Sequence, residues 1–130
     1  MMELTIKDKV FQFKFGVGFM KEINKKITRI PNPDTPEVKQ NVGLQFAVAG
    51  LMDGDVEKLV EVLDIANKTE KPRVTINDIY DYIDDENTNI DALFAEVLDF
   101  LRQSNATKKI TAAVAEMVET ERAKLEAQNK

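Results

Sequence analysis

The 130-residue chain contains no cysteine and no histidine. Thiolate nucleophiles, disulfide staples, Cys/His zinc sites and imidazole general bases are therefore all excluded. Long apolar runs are missing as well. The most apolar stretch, Val42 to Met52, falls far short of the ~20 residues that span a bilayer. The N-terminal residues Met1-Met2-Glu3-Leu4-Thr5-Ile6-Lys7 lack the basic start and apolar run of a secretory signal. A soluble, cytoplasmic protein is the expectation, with no membrane partner. Positive charge is in deficit: 18 basic against 23 acidic side chains give a net charge of −5, so a phosphate backbone would meet repulsion. Nucleic acid is not an expected partner.

What is present suffices for folding. Hydrophobic residues make up 43% of the chain and charged residues 32%, too apolar a mixture for end-to-end disorder. A chain of this length buries roughly two-thirds of its unfolded surface in one core. Residues 1–120 are read as a single globular domain, followed at 121–130 by a charged segment that forms a helix end, a frayed tail or a docking extension.

Leu4 and Ile6 alternate with polar neighbours, and after Lys7-Asp8-Lys9 the alternation resumes at Phe11, Phe13 and Phe15. This predicts a β-hairpin over Leu4 to Phe15 with one aromatic face. A lone hairpin is marginal in water, so that face requires a helical partner. Gly16 and Gly18 lead into a short helix from Val17 to about Lys26, and Ile30-Pro31-Asn32-Pro33-Asp34-Thr35-Pro36 is a loop. A helix from about Val38 to Asp53 is apolar nearly all round, which places it centrally, with Gly43, Ala47 and Gly50 on one narrow side for a close backbone approach.

Asp55 caps the next helix, which carries Val56, Leu59, Val60, Val62, Leu63, Ile65 and Ala66. Asn67 to Arg73 is a connection and Val74 an extended residue. Thr75, with Asp78 three residues on, opens a helix that turns Ile76, Ile79, Tyr80 and Ile83 inward. Ile90 to Leu101 forms a further amphipathic helix. The last begins near Thr107, with a stripe of Ile110, Ala113, Val114, Met117 and Val118 that stops at Glu121. The fold class is α+β, mostly helical: an N-terminal β-hairpin packed on a bundle of about five helices.

No constellation carries chemistry. Asp85, Asn87, Asn89, Asp91 and Glu96 occupy calcium-loop positions, but the glycine of the sharp turn is replaced by Ile90, and capping is the better reading. Gly16-Val17-Gly18 lacks the rest of a dinucleotide fingerprint. The basic groups at Lys21, Lys25, Lys26 and Arg29 and at Lys108-Lys109 read as solvated faces. No catalytic residue, metal site or cofactor is predicted, and an acid/base enzyme using paired carboxylates such as Asp84-Asp85-Glu86 ranks third among the readings. The wide apolar arcs exceed what one small domain can cover. Val62 and Ile65 on one helix, with Phe94, Val97, Phe100 and Leu101 on another, are therefore the candidate partner-binding residues.

Two segments resemble a known family: Phe13-Lys14-Phe15-Gly16-Val17-Gly18-Phe19-Met20-Lys21-Glu22-Ile23-Asn24, and Gly43-Leu44-Gln45-Phe46-Ala47-Val48-Ala49-Gly50-Leu51-Met52-Asp53-Gly54-Asp55. They are similar to the tail assembly chaperones of long-tailed siphophages and prophages of Gram-positive bacteria. Ala66-Asn67-Lys68-Thr69, Tyr82-Ile83-Asp84 and Asp91-Ala92-Leu93-Phe94-Ala95-Glu96-Val97-Leu98 extend the likeness, which spans about Glu3 to Met117. The resemblance implies a non-enzymatic protein of the host cytoplasm, absent from the mature virion, that binds the hydrophobic tape measure protein and keeps it soluble until tail tube subunits polymerise. It also implies self-association, and a longer frameshifted form through which the tail tube protein is a further partner. A small acidic adaptor for another folded protein is the alternative reading.

Overall fold

The computed structural model describes residues 1–128. Two of the residues assigned to the charged C-terminal segment, 129 and 130, lie outside the described residues. Strands β1 (Met2–Ile6) and β2 (Lys9–Phe13) form the hairpin, with Met2 opposite Phe13 and Leu4 opposite Phe11. The two-residue connection places both Lys7 (φ 51°) and Asp8 (φ 66°) in the left-handed region, the mirror-turn geometry whose twist matches that of paired strands. The register puts Met2, Leu4, Ile6, Phe11 and Phe13 on one face, and all five are buried. Beyond the strand, the Lys14 amide donates to the Ala66 carbonyl at 2.8 Å, and the Ser104 hydroxyl donates to the carbonyl of Phe15, itself buried.

Six helices follow among the described residues: α1 (Val17–Asn24), α2 (Gly43–Met52), α3 (Val56–Asn67), α4 (Ile76–Asp84), α5 (Ile90–Gln103) and α6 (Lys108–Gln128). Two short strands lie between α1 and α2. In this ribbon β3 (Thr28–Arg29) pairs antiparallel with β4 (Gln40–Asn41). The ribbon corrects the predicted start of the central helix at Val38. Pairing draws Gln40 and Asn41 into extended backbone, the Val42 amide donates to the Ile27 carbonyl at 2.8 Å, and the helix begins only at Gly43.

Helix α2 is central, touching α1, α3, α5 and α6. A Cβ on Gly43 would lie 1.9 Å from the Ile23 carbonyl oxygen, so α1 ends against bare backbone there. At Gly50 the close neighbour is instead the aliphatic stem of Lys58. The side-chain oxygen of Asn24 accepts from the Leu44 amide, linking the end of α1 to the first turn of α2.

The other caps are local. Asp55 accepts from the Lys58 amide, Thr75 from Asp78 and Asn89 from Ala92. Val74 is buried but belongs to no strand, because its amide donates to the Asn67 side chain at 2.7 Å. Helix α4 also departs from expectation: it rests on α3 and β1 at the edge of the bundle, so Ile79 is buried while Ile76 and Tyr80 are 45% and 49% exposed. Helix α6 packs on α2 and α5 along Thr111 and Val114, leaving Met117 exposed, and it runs unbroken past Glu121 to Gln128.

Candidate functional site

The six candidate partner-binding residues separate into two groups. Val62, Val97 and Leu101 have no exposed surface and Ile65 has 6%, so these four are core side chains. The neighbours they lacked in the sequence are supplied by tertiary packing: α3 is covered by α1, α2, α4 and β2, and α5 by α2 and α6. Phe94 and Phe100 are half-buried at the rim, with the Phe100 ring 6.1 Å from that of Phe15. The structure does not bring the six together on one surface.

The exposed apolar surface gathers elsewhere. Helix α6 crosses α2 and leaves between them a groove of about 410 Å3, lined by Phe46 and Ala49 from α2 and by Val114, Met117, Val118 and Leu125 from α6. Phe46, Met117 and Leu125 are each more than half exposed. On α2 the groove-facing residues follow from geometry. Leu44, Ala47, Val48 and Leu51 are consumed by the bundle, and an all-apolar helix then has Phe46 left over on the remaining side. On α6 the spacing 114, 117/118, 121, 125 is one continuous face. The residue at 121 is glutamate, yet the stripe resumes at Leu125.

Polar groups rim the groove. The Arg122 guanidinium donates to the Met52 carbonyl at 2.9 Å and lies 3.4 Å from the Asp53 carboxylate, tying the far end of α6 to the open carbonyl end of α2. Gln45 and Glu121 complete the edge. Such a trough can take one amphipathic helix, apolar face down.

Other polar chemistry is spent on structure. Asp85 accepts from the Asn87 amide and Asn89 from Ala92, so the acidic connection acts as a turn and a cap. Lys7 sits between Asp78 and Asp81 at 2.9 and 2.7 Å; these hydrogen bonds hold the ammonium pKa above its usual value, and Lys7 in turn holds the Asp78 carboxyl below its own. Burial, with a smaller effect from the Glu96 carboxylate, raises the Tyr82 phenol. Among the described residues no group of three acidic side chains could hold a metal ion, and no helix is long and apolar enough to cross a membrane.

Residues 3–116 match the family described as phage tail assembly chaperone protein, TAC. The chain belongs to that family. The match covers all but the first residue of the hairpin, α1 to α5 and the first turns of α6, so the α2 side of the groove and Val114 lie within the family region of this tail assembly chaperone while Met117, Val118, Glu121, Arg122 and Leu125 lie beyond it. No curated protein matches the chain, and no solved structure does. Membership gives the tail assembly chaperone a role in phage tail assembly. Sequence reasoning identified the family from α1 and α2 but missed the groove. The only signal for it was Phe46, a large residue on a helix already apolar on every side, together with Leu125 two turns beyond Val118, the last residue of the α6 stripe.

Proposed function

We propose that this tail assembly chaperone binds the tape measure protein of its phage in the host cytoplasm, keeps it soluble until tail tube subunits polymerise around it, and does not remain in the finished virion. The family membership supports the class of activity. The observation that carries the finer reading is the apolar trough between α2 and α6, with Phe46, Met117 and Leu125 left uncovered on a folded domain. A tape measure protein exposes long apolar helical stretches, and a trough walled by two helices accepts such a stretch by side-to-side packing. These side chains are already partly covered, so each contributes about 1–1.5 kcal/mol when buried, before the cost of ordering the complex. The net charge of −5 then keeps a many-to-one assembly dispersed. In this reading the uncovered trough would also mediate weak self-association when the client is absent. A longer frameshifted form provides the route to the tail tube protein in this reading.

Co-expression tests it. The tape measure protein of the same phage should move from the insoluble to the soluble fraction when this chain is present. Phe46→Glu and Met117→Glu, each at an exposed position, should abolish that rescue while leaving the thermal midpoint nearly unchanged. If the tape measure protein stays equally insoluble with the intact chain, the reading fails and the adaptor reading replaces it.

A further inference from the structure

A second exposed apolar surface begins three residues along the chain from the groove. Val56 and Val60 of α3 face Tyr80 and Ile83 of α4 across a cleft of about 380 Å3, with Glu57 and Asp84 at its edges. Val56 is 43% and Tyr80 49% exposed, and Ile76, one turn before Tyr80, continues the uncovered side of α4. A short span of chain joins the two surfaces. Asp53 lines the α2–α6 groove and Val56 lines the α3–α4 cleft, and residues three apart in the chain are separated by at most about 10 Å.

The charge of this second surface is one-sided. No basic residue lines the cleft, and neither Glu57 nor Asp84 forms an ion pair among the described residues. Asp84 lies in the last turn of α4, where the negative end of the helix dipole disfavours a carboxylate, and that turn holds no basic residue to offset it. A ligand bringing a cation to this edge relieves both conditions.

We infer that the α3–α4 cleft is a second seat for the same client: it takes an apolar anchor flanked by Lys or Arg, in the stretch next to the one held between α2 and α6. The client crosses the Asp53-Gly54-Asp55 corner between the two seats. Linking the seats makes the second contact intramolecular, so modest contacts at each add to a firm hold on an extended polypeptide. The inference rests on the proposed function, and its specificity differs from that of the groove: the groove selects for apolarity, the cleft for apolarity beside positive charge.

The test uses the complex of the full chain with the tape measure protein, measured at about 0.05 M and 0.5 M salt, where surface charge pairs are respectively felt and screened. Glu57→Lys with Asp84→Lys should weaken binding about tenfold at low salt and little at high salt. Val56→Ser with Tyr80→Ser should weaken it at both. Circular dichroism of the free variants should match the unaltered chain and melting should shift little, since all four positions are exposed and the helix-dipole effects of the changes at Glu57 and Asp84 oppose each other. If Phe46→Glu abolishes binding while both cleft variants bind within twofold of the unaltered chain at both salts, the cleft inference is overturned and the proposed function stands. If the unaltered chain forms no complex, both fall. A third outcome also overturns the inference: cleft variants that change sedimentation of the free protein without changing client affinity assign the surface to a second copy of this chain.

Discussion

Asn67 shows how much one side chain holds in this fold. It is fully buried at the end of α3. Its amide nitrogen donates to the Gln12 carbonyl at 2.9 Å and the Pro72 carbonyl at 3.1 Å, and its oxygen accepts from the Val74 amide and from Arg73 at 2.7 and 3.0 Å. Two donors and two lone pairs are the whole capacity of the group, and all are used. Hairpin, helix and the approach to α4 are thereby joined at one point. Asn67→Ala takes this partner from the Gln12 and Pro72 carbonyls and from the buried Val74 amide and should cost about 3 kcal/mol, read as a lower urea midpoint with unchanged slope. Asn67→Asp should cost more, because a carboxylate oxygen would then face two carbonyl oxygens. A loss under about 0.5 kcal/mol for Asn67→Ala would mean that water replaces the network. In sequence, Asn67 reads as the first residue of a connection, since asparagine commonly ends helices and its partner Gln12 lies 55 residues away. Thr107 and Thr111 are hidden for the same reason: both are buried, their hydroxyls satisfied by the carbonyls of Leu101 and Thr107.

At the scale of elements, what is set locally was legible. Period-two alternation located the hairpin and its aromatic face, and Asp55 and Thr75 cap the helices they were predicted to cap. What depends on distant chain was not. The β3–β4 ribbon has two pairs of residues and no alternation to announce it, yet it moves the start of α2 from Val38 to Gly43. Likewise Ile76 and Tyr80 sit at helical spacing with Ile79 and Ile83, but a helix at the bundle edge has neighbours on only one side. Helix α4 is instead fastened to the hairpin turn by Lys7, which bridges Asp78 and Asp81. The direction of its pH dependence follows from the shifts. Asp78 has a lowered folded-state pKa, so its share of stability is present above the ordinary carboxylate value and lost as pH falls through the folded value. Lys7 has a raised one, so its share is present below the ordinary lysine value and lost as pH rises through the folded value. Lys7→Met should therefore flatten the stability profile at both extremes, in acid below the ordinary Asp range and in strong base, and added salt should shrink the difference. A profile parallel to that of the unaltered chain would show the bridge to be energetically silent.

For the whole molecule, hydrophobic periodicity gives the amount of apolar surface on each helix but not which neighbour covers it. The broad arcs of α3 and α5 led to Val62, Ile65, Val97 and Leu101 as partner contacts, and in the assembled bundle these four are interior. The surplus lies instead on α2, α4 and α6, where the bundle stops. The far half of α6 is the least embedded part of this surface. Only Thr111 and Val114 of the helix are buried, and no residue from Glu119 to Gln128 is. Arg122 nevertheless reaches back to Met52 and Asp53, and Leu125 walls the groove. Residues 121–130 are thus proposed to serve the site and not the fold. Deleting them should change stability by no more than about 0.5 kcal/mol, as for surface positions generally, while sharply reducing rescue of the tape measure protein. Arg122→Gln keeps Leu125 but removes the charged tie to the α2 end. It should leave the melting temperature in place, speed hydrogen exchange over 119–128, and produce an intermediate loss of rescue. If the deletion unfolds the domain, the segment is structural after all. If it leaves rescue intact, the outer wall of the groove takes no part in holding the client, and binding must be confined to Phe46, Met117 and the floor between them.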